Sequence, residues 1–287
     1  MNKIFLTGST GFIGKKLLDK ISKNKDNYII CLIRNENKAK KKLSNIKYIE
    51  GDLNPSKYFS LLSNCNYIIH LAAELDSKNE DIFRVNVDFT EALISACNKN
   101  IKKFIFFSSI TAKRNDTVAY SESKKRAEEK IKKYNKPYLI IRPAWVLGKD
   151  SRSTKKFISY LKKFPILPII GNGKTLLQPI YIDDLIEITN TLSFNNFETN
   201  KSIEIAGKYP VAYEEFINYF LKRMAINKSK IHLPISICKQ IAKHSNLLSL
   251  DAVSDFANNT IADISYLKKA YNFTPLDYKE IINKIVE

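Results

Sequence analysis

The chain has 287 residues, 44% of them apolar, which fits one large α/β domain or one domain with a smaller partner and excludes a disordered chain. Its net charge of +18 comes from 40 Lys against only seven Arg, and no nucleic-acid motif accompanies it, so the excess reads as a lysine-rich surface or as attraction for an anionic small molecule. No run of about 18 apolar residues could span a membrane, and the N-terminus shows no secretory pattern; Cys31, Cys65, Cys97, Cys238 and the three histidines are too scattered for a metal centre or a disulfide framework, so a cytoplasmic protein with reduced thiols is expected.

Residues 3–7, KIFLT, read as a strand ending at Gly8. Phe12, Ile13, Leu17, Leu18 and Ile21 then recur at helical spacing over 12–23, and YIICLI (28–33) reads as a second strand, which makes a βαβ unit. IKYIE (46–50), YIIHLA (67–72), KFIFFSS (103–109) and YLIIRP (138–143) continue the strands, with helical patterns at 80–99 and 119–134. Continuous apolar strands alternating with helices predict a parallel sheet covered on both faces. After Pro143 the texture changes to a basic-apolar segment, two prolines and a Gly-Asn-Gly turn. KSIEIAG (201–207) reads as a further strand, and from about 211 the pattern is mostly helical, as in a smaller C-terminal domain.

Three of the eight glycines, Gly8, Gly11 and Gly14, stand at even spacing between the first strand and the first helix. A glycine turn there lets a phosphate approach the backbone N–H groups and the positive end of the helix dipole. TGSTGFIG therefore predicts a dinucleotide pyrophosphate site over Gly8, Ser9, Thr10, Gly11, Phe12, Ile13 and Gly14, with Thr7, Ser9 and Thr10 supplying hydroxyls that tie the loop. About twenty residues on, an acid would take the ribose 2′-OH of NAD; Arg34 stands there, with Lys38 behind it. Arginine pairs with the 2′-phosphate of NADP, so the cofactor expectation is NAD(P), leaning towards NADP(H), against the alternative of one more surface cation. Asp52 in EGDL could accept from an adenine amino group or cap a turn.

Tyr120 and Lys124 in AYSESKKRAEEKIKKY share a helix face at i,i+4. Positions 120, 124, 127, 131 and 134 form a stripe in which Lys124 is the one cation, beside Ala127, Ile131 and Tyr134. An inward lysine needs a reason, since such charges are seldom buried unpaired. A nearby ammonium favours a phenolate, so Tyr120 could exchange a proton with a substrate oxygen while hydride moves to or from nicotinamide. Ser109 could hydrogen-bond the same oxygen, with Ser108 as its competitor; the alternative is a snorkelling lysine beside a structural tyrosine.

Taken in order, TGSTGFIG, GDL (51–53), HLAA (70–73), VNVDFT (85–90), FFSS, YSESK and IRPAWVLG resemble the extended branch of the short-chain dehydrogenase/reductase superfamily, the NAD(P)-dependent sugar epimerase/dehydratase family. QPIYIDDL (178–185) and DISYLKKAYNFTP (263–275) resemble later segments of it. The resemblance implies a doubly wound Rossmann fold: a dinucleotide-binding domain over 1–165, with 175–192 returning to it, and a smaller, mostly helical substrate domain over 193–287. It implies a Ser109–Tyr120–Lys124 triad, with Lys124 also holding the nicotinamide ribose. Asp52, Leu53, Leu71, Ala72, Ala73 and Asn86 would line the cofactor, and Pro143 would sit near the nicotinamide. The chain departs from the family pattern in the short step from Ser109 to Tyr120, in AKR (112–114) for the usual VYG, in Phe89 for a common glycine and in Arg34 for the usual acid.

The expected function is hydride transfer at a carbinol or carbonyl carbon, most simply of a nucleotide-linked sugar whose diphosphate suits the basic stretch 152–163. The competing reading is a non-catalytic NADPH-binding scaffold or assembly factor resembling an accessory subunit of respiratory complex I. A third, membrane-surface attachment through KKFISYLKKFPILPII, is weakened by Pro165 and Pro168, and a lid over the substrate suits 152–170 better. A small-molecule substrate is expected, with no nucleic acid, no integral membrane segment and no metal; a homodimer is compatible with the sequence.

Overall fold

The computed structural model describes residues 1–35, 37, 39, 43–52, 54–98, 101–114, 118–244 and 248–287. Leu53 and Lys38, both named from the sequence, lie outside them. The chain divides into two units, residues 1–142 with 186–203, and residues 143–185 with 204–287. The sequence expectation placed 1–165 with the returning 175–192 in the first domain and 193–287 in the second; the contacts divide the chain at Pro143, the last residue of a sheet strand, and return 186–203 to the first unit.

The first unit is built on a seven-stranded sheet. In chain order come β1 (Asn2–Thr7), α1 (Phe12–Ile21), β2 (Asn27–Ile33), β3 (Ile46–Glu50), α2 (Phe59–Leu62), β4 (Tyr67–His70), α3 (Phe89–Ser95), β5 (Lys103–Phe107), α4 (Ala119–Lys133) and β6 (Tyr138–Pro143). The sheet order is β3-β2-β1-β4-β5-β6, with strand Lys201–Ile205 at the far edge. Pairings among β1 to β6 are parallel, and the register sets Thr7 opposite both Leu32 and His70. The order reverses between β1 and β4, so this is the doubly wound fold, and that crevice is where such sheets bind ligands.

Both faces of the inner strands are buried, as their continuous apolar runs required, while no residue of the edge strand β3 is buried. On one face Phe5, Ile30, Ile68, Phe104, Phe106 and Ile140 form a core with Phe89 and Leu93 of α3 and Ala127 and Ile131 of α4. The alternate residues Ile4, Leu6, Ile29, Ile69, Ile105 and Leu139 are fully buried on the other face.

The second unit holds α5 (Arg152–Lys163), α6 (Ile182–Phe194) up to Leu185, and α7 (Tyr213–Arg223), together with smaller helices and short strands. Leu167–Ile170 pairs in parallel with Lys230–Leu233, and Leu176–Leu177 pairs antiparallel with Val211–Ala212. Its core is aromatic: Trp145 and Phe157 meet edge to face at 5.1 Å, and Tyr213 stacks on Phe256 at 4.4 Å. Phe157 and Leu161 of α5 lie within that core. The apolar face of the basic stretch is thus spent inside the second unit, which removes the reason to place it on a membrane. No helix among the described residues is long and apolar enough to cross one.

Candidate active site

The glycine turn sits at the C-terminal end of β1, beside the reversal in strand order. Gly8 takes φ +74°, and a Cβ there would lie 2.6 Å from the Ala72 nitrogen. Gly14, in the first turns of α1, lies so close to Gly8 that a Cβ would come within 2.0 Å of the Gly8 oxygen. The loop thus folds on its own backbone, closed by the Gly11 N–H donating to Gly8 O at 3.0 Å. Gly11 caps α1 with no side-chain acceptor, and the first turn carries no acid, so no side chain of the cap or first turn competes with an anion for the N-terminal N–H groups. Ser9 Oγ is buried without a hydrogen-bond acceptor or donor of normal geometry, its neighbour being the Cys31 thiol, which burial pushes up to about 12. A cradle that any Cβ would fill, under an uncapped helix, fits the pyrophosphate of a dinucleotide.

A chain of hydrogen bonds ties this loop to α3. The Ala72 N–H donates to Thr7 Oγ1 at 3.2 Å, and Thr7 Oγ1 lies 2.7 Å from His70 Nδ1. His70 Nε2 lies 2.9 Å from Thr90 Oγ1, which donates to the Asn86 carbonyl at 2.8 Å. Each hydroxyl has only one proton, so Thr7 donates to Nδ1 and Nε2–H donates to Thr90; the ring is neutral with its proton on Nε2. Burial, and secondarily the charge of Lys124, hold its pKa down at about 3. Phe89 meets the ring edge to face at 5.5 Å, which explains a phenylalanine where a glycine is common.

This histidine makes an acid-sensitive joint. The unfolded chain binds a proton at His70 below about pH 6.5 and the folded one does not, so stability falls as pH drops from about 6.5 towards 3, by at most about 1.4 kcal/mol per pH unit. Urea unfolding at pH 7 and pH 5 checks this: His70→Gln is expected to flatten the acid limb, and an unchanged slope refutes it.

Asn86 sits in a π turn, Arg84–Asp88, that leads into α3. Its amide accepts from the Glu74 N–H at 2.8 Å and donates to the Glu74 carbonyl and to Ser123 Oγ, both at 2.9 Å. Ser123 in turn donates to the Tyr120 carbonyl at 2.8 Å. Asn86 thereby fastens the segment after β4 to the first turn of α4. Leu71 is held against β1 by its N–H on the Thr7 carbonyl at 3.2 Å, with Ala72 and Ala73 following.

Tyr120 and Lys124 share a face of α4. Tyr120 is half-buried and its N–H donates to Ser77 Oγ at 3.1 Å. Lys124 is only 2% exposed, as the stripe predicted. Its Nζ donates to the Phe107 carbonyl at 2.8 Å, lies 4.7 Å from the Phe106 ring centre and 6.0 Å from that of Tyr120. Desolvation pulls its pKa down to about 7, against an upward pull from Glu128.

The two serines part company. Ser108 is buried and its hydroxyl donates to Glu128 Oε1 at 2.6 Å. Ser109 stays half-buried at the end of β5, its Oγ accepting from Thr111 Oγ1 at 2.9 Å, so its own proton remains to be given. Thr111, His70, Thr90, Ser123, Glu128 and Arg142 are the members of this constellation that were not assigned from the sequence.

Two expected cofactor residues lie on the surface. Arg34 is exposed just beyond β2. Asp52 is exposed too, accepting from the Asn54 N–H at 2.9 Å and pairing with Lys57 at 2.7 Å, as a turn aspartate does. Pro143 ends β6 and belongs to the second unit. No group of His, Cys, Asp and Glu that could hold a metal occurs among the described residues.

The Arabidopsis thaliana mitochondrial NADH dehydrogenase [ubiquinone] 1 alpha subcomplex subunit 9 is 24% identical over 82% of this chain, which spans 61% of that protein's length. The UDP-glucose 4-epimerase of Vibrio cholerae is 26% identical over 95% of this chain and 90% of its own. In fold, the chain matches the Bacillus cereus UDP-glucuronic acid 4-epimerase, solved with UDP-glucuronic acid and NAD, at a TM-score of 0.76, with 21% identity over 99% of this chain and 98% of the other. The model of the NAD dependent epimerase/dehydratase family matches residues 4–206, the span that carries the glycine turn, Asn86 and the Tyr120–Lys124 face, and the chain belongs to that family.

Proposed function

We propose that the protein is an NAD(P)-dependent oxidoreductase or epimerase acting at a carbinol or carbonyl carbon of a nucleotide-linked sugar. The observation that carries this reading is Lys124: a cation buried one helical turn from Tyr120, at the same end of the sheet as the glycine cradle. The first unit would bind the dinucleotide and the second the substrate. Gly8 to Gly14 would hold the pyrophosphate on backbone N–H groups, and Asn86 with residues 71–73 would form the wall beside it. A bound nicotinamide supplies the hydride acceptor and donor. Tyr120 would exchange a proton with the substrate oxygen at its phenolic oxygen, and Ser109 would donate a hydrogen bond to the same atom. Lys124 would stabilise negative charge on the phenolic oxygen and hold the nicotinamide ribose. A nucleoside diphosphate sugar suits the net charge of +18 and matches what the epimerase relatives' names say they act on. Four buried free thiols suit a reducing, cytoplasmic setting.

The test is turnover of UDP-linked sugars by the purified protein, read as epimerised product or as a nicotinamide absorbance change. Arg34 favours NADP(H) over NAD(H). Arg34→Ser is expected to weaken NADPH binding by about 10- to 100-fold and to leave NADH binding near its starting value. Tighter NADH binding by the unaltered protein would overturn the NADP assignment.

The second reading is a dinucleotide-binding scaffold, favoured by the likeness to the complex I subunits of Arabidopsis thaliana and Dictyostelium discoideum. A scaffold has no use for a lysine buried at a desolvation cost beside a tyrosine. Clear NADPH binding with no turnover of any carbonyl or nucleotide-sugar substrate would select it.

A further inference from the structure

We propose that the buried Glu128–Arg142 pair is a positioning device for Lys124, setting whether its ammonium stays charged beside Tyr120. The inference rests on the catalytic reading only for its consequence; the electrostatics stand without it. Glu128 follows Lys124 by one turn on α4 and is 3% exposed. Arg142 of β6 grips both its oxygens, Nε on Oε1 at 2.8 Å and Nη2 on Oε2. Ser108 donates to Oε1, and the half-exposed Lys132 reaches Oε2 at 3.5 Å.

A buried ion pair is a poor investment in stability, since apolar residues of the same volume serve as well. Its position gives it another use. Around Lys124, β5 offers the Phe107 carbonyl and the Phe106 ring, α4 offers Tyr120 and Glu128, and β4 offers the neutral His70. Glu128 is the carboxylate whose charge opposes the desolvation of Lys124, and the Arg142 guanidinium on that carboxylate carries the opposite charge. Lys124 and Glu128 are both buried and one turn apart on α4, so little solvent screens a change in this balance.

The two partners therefore act with opposite sign. Glu128→Gln leaves the Arg142 charge uncompensated, so Lys124 loses its proton at lower pH. Arg142→Gln removes a positive charge and leaves Glu128 to hold the proton to higher pH. Lys124 can be followed by NMR with 13Cε-labelled lysine, its resonance identified by Lys124→Arg. Shifts of about one pH unit, down for Glu128→Gln and up for Arg142→Gln, are expected. The high-pH limb of kcat/KM should move the same way in each variant. No shift, or shifts of the same sign, overturns the proposal, because general loosening of the fold has no reason to invert between the two. If Glu128→Gln fails to fold, as read by its thermal transition, Arg142→Gln decides: an upward shift supports the proposal and its absence refutes it. Expected NMR shifts without any nicotinamide-dependent turnover would sink the catalytic reading and leave this inference standing. Turnover with an unmoved Lys124 titration would do the reverse.

Discussion

Tyr120→Phe is expected to lower kcat by about 10²–10⁴-fold while dinucleotide affinity stays nearly intact. The substitution removes one oxygen and keeps the ring. The ring's place is fixed from the backbone: the Tyr120 N–H is held by Ser77, and its carbonyl by Ser123, which Asn86 fastens in turn. These bonds hold the backbone, so phenylalanine should keep the first turn of α4 in place. What is lost is the group proposed to move a proton on the substrate oxygen. Ser109→Ala should cost less, since it removes a hydrogen-bond donor and not the acid–base group. Ser108→Ala should cost less than Ser109→Ala, its hydroxyl being given to Glu128 and not to substrate. Single-turnover rates and fluorescence titration with the reduced nicotinamide dinucleotides separate the two effects. Turnover within a few-fold of the unaltered protein would refute the triad.

Most of the first unit was legible because its signals are local. Apolar runs located β1, β3 and β6 to within a residue, and helical periodicity located α1 and α4. Lys124 was legible as the cation in an apolar stripe, and the structure buries it. The rest depends on contacts distant in sequence. Nothing near His70 announces that Thr7 and Thr90 satisfy both ring nitrogens, because the parallel register of β1 on β4 makes that meeting. Ser108 and Ser109 could not be told apart until Glu128, twenty residues on, took one of them. Asp52 was read as an adenine acceptor or a turn residue, and its exposed carboxylate makes the turn contacts, with Asn54 and Lys57. The second unit was read least well. Its short paired strands are two to four residues long, too short to show a period, and its core is assembled from segments as far apart as Trp145 and Phe256.

Gly14→Ala is the sharpest test of the glycine cradle, because two known effects oppose each other there. Within a helix, alanine is favoured over glycine by about 1 kcal/mol, so on propensity alone the variant should gain stability. The new Cβ would lie 2.0 Å from the Gly8 oxygen, 2.8 Å from the Gly8 carbonyl carbon and 3.0 Å from Ser9 Cα. All three are backbone atoms, so no side chain can rotate away; either α1 or the loop must move. Gly8 is itself held at φ +74° against the Leu71–Ala72 backbone, so the loop has little room to yield. The clash should prevail: dinucleotide binding is expected to be lost beyond detection and the thermal transition to fall. Gly11→Ala is the control, since its Cβ would meet the Gly8 oxygen at a tolerable 3.3 Å and its φ of −75° suits any residue. It should fold normally, with any loss confined to affinity. If Gly14→Ala binds a nicotinamide dinucleotide as the unaltered protein does, the loop is not the rigid cradle its geometry describes, and the anion must be held elsewhere on the chain.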